Sequence, residues 1–189
     1  MRASKERRLY VAAPLLLALL LTVLLAACAS TPASQSGTTA GTGVKTENLP
    51  FPRLVGTTLS GARFDTNSLA GKPFVLNVWA TWCAPCAREQ PALRQVQATY
   101  NGRVGFLGID YRDDDAAAKA WVEQFGVPYP SLTDPAGRYA ASLAFPFLPD
   151  TYIVDATGSI RYVVYGETSQ QQVSGLLDSL LVSSSPSSS

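Results

Sequence analysis

Two cysteines, Cys83 and Cys86, are separated by an Ala-Pro pair in the stretch FVLNVWATWCAPCAREQPAL at residues 74–93. Such a pair can supply half of a metal site, form a static cross-link, or make and break a disulfide bond. Zinc needs further sulfur or nitrogen ligands and copper prefers soft or imidazole ligands, yet the chain has no histidine, a single methionine at Met1 and a third cysteine only at Cys28. A static cross-link over so short a loop removes little entropy from the unfolded chain. The pattern therefore favours redox chemistry.

The segments on either side of this pair suit a redox role. PFVLNVW at 73–79 is typical of a buried strand, and CAREQPALRQVQATY predicts a helix that begins at about Cys83. A helix N-terminus offers unpaired N–H groups and a positive dipole end, which lower the pKa of a thiol placed there. We expect Cys83 to be the exposed nucleophile and Cys86, one turn deeper, to resolve the mixed disulfide. Pro91 is expected to kink the helix.

The N-terminus has the layout of an export signal. Basic residues at positions 2, 5, 7 and 8 precede an apolar run from Leu9 to Ala27. The run is long enough for an uncleaved transmembrane anchor to be an alternative. However, the LAAC sequence at 25–28 resembles a bacterial lipobox, whose cysteine is diacylated and becomes the new N-terminus. We predict a lipoprotein signal peptide at 1–27 and lipid attachment at Cys28, which leaves one disulfide pair.

The segments next to the predicted domain are too polar to build a core. Residues 30–43 read STPASQSGTTAGTG, and the chain closes on SSSPSSS. We predict the lipidated cysteine and a flexible tether at 28–45, one folded domain at 46–182 and a disordered tail at 183–189.

Composition and charge exclude other classes of function. The 189 residues, with 47% hydrophobic side chains, suit one domain with a proper core. Its 15 basic and 14 acidic residues leave no basic excess for nucleic-acid binding. The absence of histidine excludes an imidazole base. Asp110 and Asp113–Asp115 could suggest a metal site, but we interpret the last three as helix-capping residues and expect no metal or cofactor.

Strand patterns alternate with helical patterns between the tether and the tail. After the strand at 73–79, the sequence predicts a buried strand, a helix, an antiparallel hairpin and a closing helix: VGFLGID (104–110), DDDAAAKAWVEQFG (113–126), TYIVD with SIRYVVYG (151–155 and 159–166), and SQQQVSGLLDSLLV (169–182). This order predicts an α/β fold with a mixed central sheet and helices on both faces. Weak alternation at 57–59 and 62–64 predicts a small N-terminal β-hairpin.

The motif at the cysteines resembles a known family. TWCAPCAREQP is similar to the WCxPCxxExP segment of membrane-tethered thiol–disulfide oxidoreductases with a thioredoxin fold, the TlpA/ResA/CcmG group of the AhpC/TSA-Redoxin superfamily. The resemblance runs from about Leu49 to Val182. It implies a thioredoxin fold, a redox-active disulfide between Cys83 and Cys86, and a bacterial lipoprotein.

Further site residues follow from the same resemblance. Glu89 matches a glutamate that this family holds half-buried beneath the dithiol, where it acts in catalysis. The segment Leu148-Pro149 is similar to the family's cis-proline loop and implies that both residues bind the substrate, with Trp82 beside Cys83 in the same groove. Asp150 departs from the commoner threonine after the proline, which leaves surface charge and substrate choice open.

The resemblance implies an enzyme that reduces protein disulfides on the extracytoplasmic face of a bacterial cell membrane. Its implied partners are an exported protein with a cysteine pair, for which apocytochrome c is one candidate, and a membrane electron donor of the CcdA/DsbD type. We also expect that the acylated Cys28 contacts the lipid bilayer and that the protein is a monomer. Two alternatives remain: an oxidant that forms disulfides in secreted proteins, and a redox-inert module that only binds a partner.

Overall fold

The strands form one central sheet and one small hairpin. The computed structural model describes residues 43–183, and its strands are Gly43–Pro50 (β1), Val55–Thr57 (β2), Arg63–Asp65 (β3), Phe74–Trp79 (β4), Gly105–Tyr111 (β5), Ser131–Asp134 (β6), Asp150–Val154 (β7) and Ser159–Tyr165 (β8). The central sheet has the order β1-β8-β7-β4-β5-β6. β4, β5 and β6 run parallel, whereas β7, β8 and β1 add antiparallel strands. The mixed sheet confirms the predicted α/β class.

Helices cover both faces of this sheet. Their bounds are Ala84–Thr99 (α1), Asp115–Phe125 (α2), Arg138–Ser142 (α3) and Gln170–Ser183 (α4). Alternate residues of a strand point to opposite faces. Val75 of β4 accordingly packs in one core cluster with Leu93 of α1 and Val173 of α4, whereas Leu76 packs in a second cluster with Ala140 of α3. With a core on each side, every residue of β4 is buried, which explains its nearly continuous apolar sequence.

The small hairpin lies between β1 and β4, close to the residues where the sequence predicts it. β2 and β3 pair antiparallel, and a 3-10 helix follows at Thr66–Leu69. An isolated bridge between Thr58 and Leu132 connects the hairpin segment to β6. This contact brings Leu59, the residue after Thr58, into the cluster that contains both cysteines.

The structure differs from the sequence prediction at two places. β1 begins at Gly43, so residues 43–45, which we assigned to the tether, pair with β8 instead. Their exposed, polar character hid a strand that is held at the sheet edge by backbone hydrogen bonds. The prediction also lacked β6 and α3, because stretches of four and five residues carry too little periodicity to be recognised.

None of the helices within residues 43–183 is long and apolar enough to cross a membrane. The predicted signal peptide, Cys28, residues 28–42 of the tether and the residues after 183 lie outside the described part of the chain.

Candidate active site

Cys83 and Cys86 lie at the junction between β4 and α1, where a disulfide bond joins them. Cys83 caps the N-terminus of α1, and Pro85 occupies the first turn, where its missing N–H costs nothing. The N–H of Cys86 donates a hydrogen bond to Cys83 Sγ at 3.2 Å. After reduction, this N–H and the positive end of the helix dipole favour a thiolate on Cys83.

Access from solvent distinguishes the two sulfurs. Cys83 is 5% exposed and Cys86 is 0% exposed. The sequence predicted an exposed nucleophile, but Cys83 is largely buried because the pair packs into an apolar cluster with Trp79 and Trp121. These two indole rings stack at a centroid distance of 4.1 Å. Of the two cysteines, only Cys83 keeps any exposed surface.

The predicted substrate-binding residues surround the accessible sulfur. The Leu148–Pro149 peptide bond is cis, as expected. Leu148 packs against the cluster that contains both cysteines, and Pro149 is buried. Trp82, directly before Cys83, is 60% exposed. This combination gives a partly apolar surface next to Cys83.

Further aromatic side chains extend this surface, and the sequence prediction did not include them. Trp82 contacts Tyr111 at a centroid distance of 6.4 Å, and Tyr111 contacts Phe145 at 5.1 Å. Phe147 is 52% exposed and contacts Tyr165 at 6.1 Å. The available signal was the sequence FPFLP, in which two aromatic residues precede the proline loop. We call these five residues the aromatic rim.

Glu89 lies deeper than the half-buried position that the resemblance implied. It is 1% exposed, and its carboxylate accepts hydrogen bonds from Asn77 Nδ2 at 2.9 Å and from the Thr168 N–H at 3.0 Å. Asn77 also donates to Thr151 Oγ1 at 3.2 Å, so β4, β7 and α1 meet at this group. A single amide inside an apolar strand was the one sequence feature that pointed to Asn77 as a buried polar partner. No pattern in the sequence indicates that the Thr168 N–H binds Glu89.

Burial controls the protonation of Glu89. Desolvation raises the pKa of Glu89 from 4.5 to about 8, against the opposing effect of the hydrogen bonds from Asn77 and Thr168. Glu89 is therefore largely protonated at neutral pH.

A second buried carboxyl group belongs to Asp150, which follows the cis-proline. The sequence left open whether Asp150 changes the surface charge, but the residue is 0% exposed and adds none. The Gly166 N–H and the Tyr152 hydroxyl approach its carboxyl group, but neither oxygen has a hydrogen bond of good geometry. Burial raises the pKa of Asp150 to about 8, and its charge also contributes to the raised pKa of Glu89.

The acidic residues after β5 have separate roles, and only one of them caps a helix. Asp114 accepts hydrogen bonds from the N–H groups of Ala116 and Ala117 at 3.0 Å, and Asp115 lies in the first turn of α2. The sequence suggested that Asp113 caps the helix as well. Instead, Asp113 accepts hydrogen bonds from Thr81 in the turn before Cys83. Within residues 43–183, no three cysteine or acidic side chains are grouped in a way that could hold a metal ion.

This chain is similar in sequence and structure to known proteins over about 59–67% of its length. The family model described as Redoxin matches residues 36–180. The thiol-disulfide oxidoreductase ResA of Bacillus thuringiensis (strain Al Hakam) is 30% identical over 127 residues, which cover 67% of this chain and 73% of that protein. The thiol:disulfide interchange protein DsbE of Pseudomonas fluorescens biotype C is 39% identical over 114 residues, 59% of this chain and 62% of that protein. A solved structure of a secreted Mycobacterium tuberculosis disulfide oxidoreductase homologous to E. coli DsbE is 36% identical, with a TM-score of 0.63, and covers 67% of this chain and 96% of that chain.

Proposed function

The chain belongs to the Redoxin family and is a thiol–disulfide oxidoreductase, and we propose that it works as a reductant of disulfide bonds in exported proteins. The observation that carries the proposal is the Cys83–Cys86 disulfide at the N-terminus of α1, with Leu148 of the cis bond Leu148–Pro149 packed against the cysteine cluster. Cys83 keeps a small exposed fraction whereas Cys86 has none, which suits exchange with a partner at Cys83 followed by intramolecular release.

The proposed cycle begins with the reduced protein. The Cys83 thiolate attacks one sulfur of a client disulfide, so that a mixed disulfide forms and the other client sulfur leaves as a thiolate and takes up a proton. Cys86 then loses its proton and attacks Cys83 Sγ, which releases the second client thiol. Two electrons have passed to the client, and the protein keeps the Cys83–Cys86 disulfide. In this cycle the deprotonated form of Glu89, which is the minor form at neutral pH, accepts the proton of Cys86 and returns it when a donor reduces the disulfide again.

The surface around Cys83 supports binding of a polypeptide client. We propose that Trp82, Leu148 and Pro149 contact the client segment that carries the attacked disulfide. Trp82 and Phe147 are large exposed apolar side chains, and such side chains next to a reactive group mark a binding surface. The names of the relatives imply protein clients with cysteine pairs, and apocytochrome c remains our candidate among them.

The proposed reductant needs an electron donor after each turnover. A thiolate of another protein can reduce the Cys83–Cys86 disulfide by exchange. We therefore propose a second dithiol protein as donor, of the membrane-embedded CcdA/DsbD type that the family resemblance implies. We further propose that the protein acts as a monomer on the extracytoplasmic side of a bacterial membrane. The similarity to a secreted mycobacterial oxidoreductase supports this side of the membrane.

We propose that acylated Cys28 anchors the protein, on the evidence of the LAAC sequence after an apolar run. Two acyl chains suffice for stable anchoring. Replacing Cys28 with serine is expected to leave an unprocessed precursor without lipid, and mass spectrometry of the wild-type N-terminus is expected to show a diacylated cysteine. An unmodified N-terminus in the wild type, with equal electrophoretic mobility of both forms, would contradict this proposal.

One observation favours the opposite direction of electron flow. The helix N-terminus and the Cys86 N–H both favour a Cys83 thiolate, and stabilising the reduced form makes a disulfide a stronger oxidant. An oxidant of secreted proteins is therefore the second candidate.

Turnover of insulin disulfides with dithiothreitol separates an active reductant from the redox-inert alternative: we expect the wild type to accelerate insulin reduction and Cys83→Ser to abolish the acceleration. An inactive wild type would contradict the proposed function.

A further inference from the structure

We propose that Asp113 is a positioning residue for the turn from Ala80 to Cys83, and that buried Asp110 acts on this turn through Asp113. This inference rests on the proposed exchange at Cys83, because it concerns how the attacking sulfur is held. It goes beyond the proposed function in assigning roles to two acidic residues that do not touch the client.

Hydrogen bonds to Thr81 provide the first part of the argument. The Thr81 N–H donates to Asp113 Oδ2 at 2.5 Å, and Thr81 Oγ1 donates to Asp113 Oδ1 at 2.8 Å. The Cys83 N–H donates to the Ala80 carbonyl at 3.2 Å, so Thr81 and Trp82 are the central residues of one turn. Asp113 therefore fixes the residue that lies two positions before the attacking sulfur. We call the pair of bonds between Thr81 and Asp113 the turn clamp.

The position of Asp110 provides the second part. Asp110 is 1% exposed near the end of β5, where it lies opposite Trp79 of β4 and Thr133 of β6. Its Oδ1 has no hydrogen-bond partner, and its carboxyl group lies close enough to Asp113 for Asp113 to raise the pKa of Asp110. Two carboxyl groups in such contact favour sharing a proton, since two charged carboxylates repel each other. Burial disfavours the charged form of Asp110, so we assign the proton to Asp110.

The surroundings of Asp110 make this proton sensitive to pH near neutrality. Burial has the largest effect on Asp110, and the charges of Asp113 and Asp115 have the next largest. Together they raise the pKa of Asp110 to about 7. The residues opposite Asp110 on β4 and β6 do not titrate. The charged groups that influence its pKa are all acidic and lie between the end of β5 and the start of α2: Asp113, Asp114 and Asp115. Below this pKa, Asp110 donates to Asp113 and supports the turn clamp. Above it, two charged carboxylates repel each other and the clamp weakens.

The amide of Thr81 reports the clamp directly. In the oxidised full-length protein, labelled with nitrogen-15, the joined cysteines do not titrate. We expect the Thr81 amide signal to move between pH 5 and pH 9 with a midpoint near the Asp110 pKa of about 7. Asp110→Asn supplies an uncharged N–H donor at every pH and is expected to abolish this titration. Asp115→Asn removes a charge from the same loop without a contact to Thr81, and is expected to keep it.

Two outcomes would overturn the inference: a Thr81 amide that does not titrate in the wild type, or one that titrates equally in Asp110→Asn. Asp113→Asn is a second variant at a less buried position, and it must displace the Thr81 signal even at pH 5, because asparagine has a single acceptor oxygen. This variant is also expected to lower the rate of client reduction on the order of 10-fold, since it frees the turn that carries Cys83. Unchanged reduction and an unchanged Thr81 signal in Asp113→Asn would contradict the clamp.

The amide measurement needs no client, so it is separate from the test of the proposed function. A wild type that reduces no disulfide contradicts the proposed function, while the titration of Thr81 still decides whether the clamp exists. Conversely, an active wild type with an unresponsive Thr81 amide overturns the clamp alone.

Discussion

Replacing Cys86 with serine is expected to trap the protein in covalent complexes with its clients. Cys83 keeps its place at the N-terminus of α1 and still attacks, but no thiol remains one turn deeper to release the client. Uncatalysed disulfide rearrangement takes about minutes to hours, so the complexes accumulate. Non-reducing electrophoresis after acid quenching, followed by mass spectrometry, would identify both the complexes and the clients.

Cys83→Ser is the matched control for this experiment. The remaining Cys86 is 0% exposed behind the apolar cluster, so this variant is expected to trap few or no clients. Both variants are best compared in a Cys28→Ser background, in which the third cysteine cannot form complexes of its own. Equal trapping by the two variants, or more trapping by Cys83→Ser, would show that the attacking and resolving roles are assigned wrongly.

The oxidised protein is expected to lose stability as the pH rises from about 4.5 to about 8. Burial raises the pKa of Glu89 from 4.5 to about 8, so the folded protein holds a proton that the unfolded chain has released. Below pH 4.5 both states are protonated and the full stability is present; through the window up to pH 8 it is progressively lost. Asp110 and Asp150 have pKa values of about 7 and about 8 for the same reason and act in the same direction.

Glu89→Gln tests how much Glu89 contributes to this loss of stability. The glutamine does not titrate, so the difference in unfolding free energy between pH 5 and pH 8.5 is expected to be smaller than in the wild type by up to about 4 kcal/mol, given ~1.4 kcal/mol for each of the three pH units between pH 5 and the Glu89 pKa of about 8. Urea unfolding at the two pH values measures it, with Glu123→Gln on the exposed side of α2 as control. If Glu89→Gln and the control have the same pH dependence, Glu89 does not hold a proton in the folded protein at neutral pH.

Much of the fold could be predicted because its main elements carry strong patterns. The apolar run of β4 and the proline-containing helix after the cysteines were recognisable, since β4 is buried along its whole length and the helix is 16 residues long. β1 was not recognisable, because an exposed edge strand such as GVKTENLP is held by backbone pairing and needs no apolar side. Its register with β8 is a property of the folded sheet and leaves no pattern in the sequence.

The candidate site shows the same limit at the level of single residues. The cysteine pair and the cis-proline loop were predictable from local motifs. The partners of Glu89 were not, because Asn77 and Thr168 come from distant parts of the chain and meet only when β4 packs against α1. Asp113 was assigned to helix capping for a similar reason: its bond to Thr81 spans 32 positions in the sequence. Burial of Asp110 and Asp150 is also a consequence of packing, and it determines their protonation.

The reduction potential of the Cys83–Cys86 couple tests the central claim, that this protein is a reductant, most directly. The chain has no histidine to stabilise a Cys83 thiolate, and the absence of this stabilisation keeps the potential low. We expect a value near that of thioredoxin, about −270 mV, rather than near about −120 mV, the value for the strong oxidant DsbA. Equilibration of the purified protein with glutathione buffers, read by thiol alkylation, gives this number. A value above about −170 mV would contradict the reductant account and favour a protein that donates disulfides.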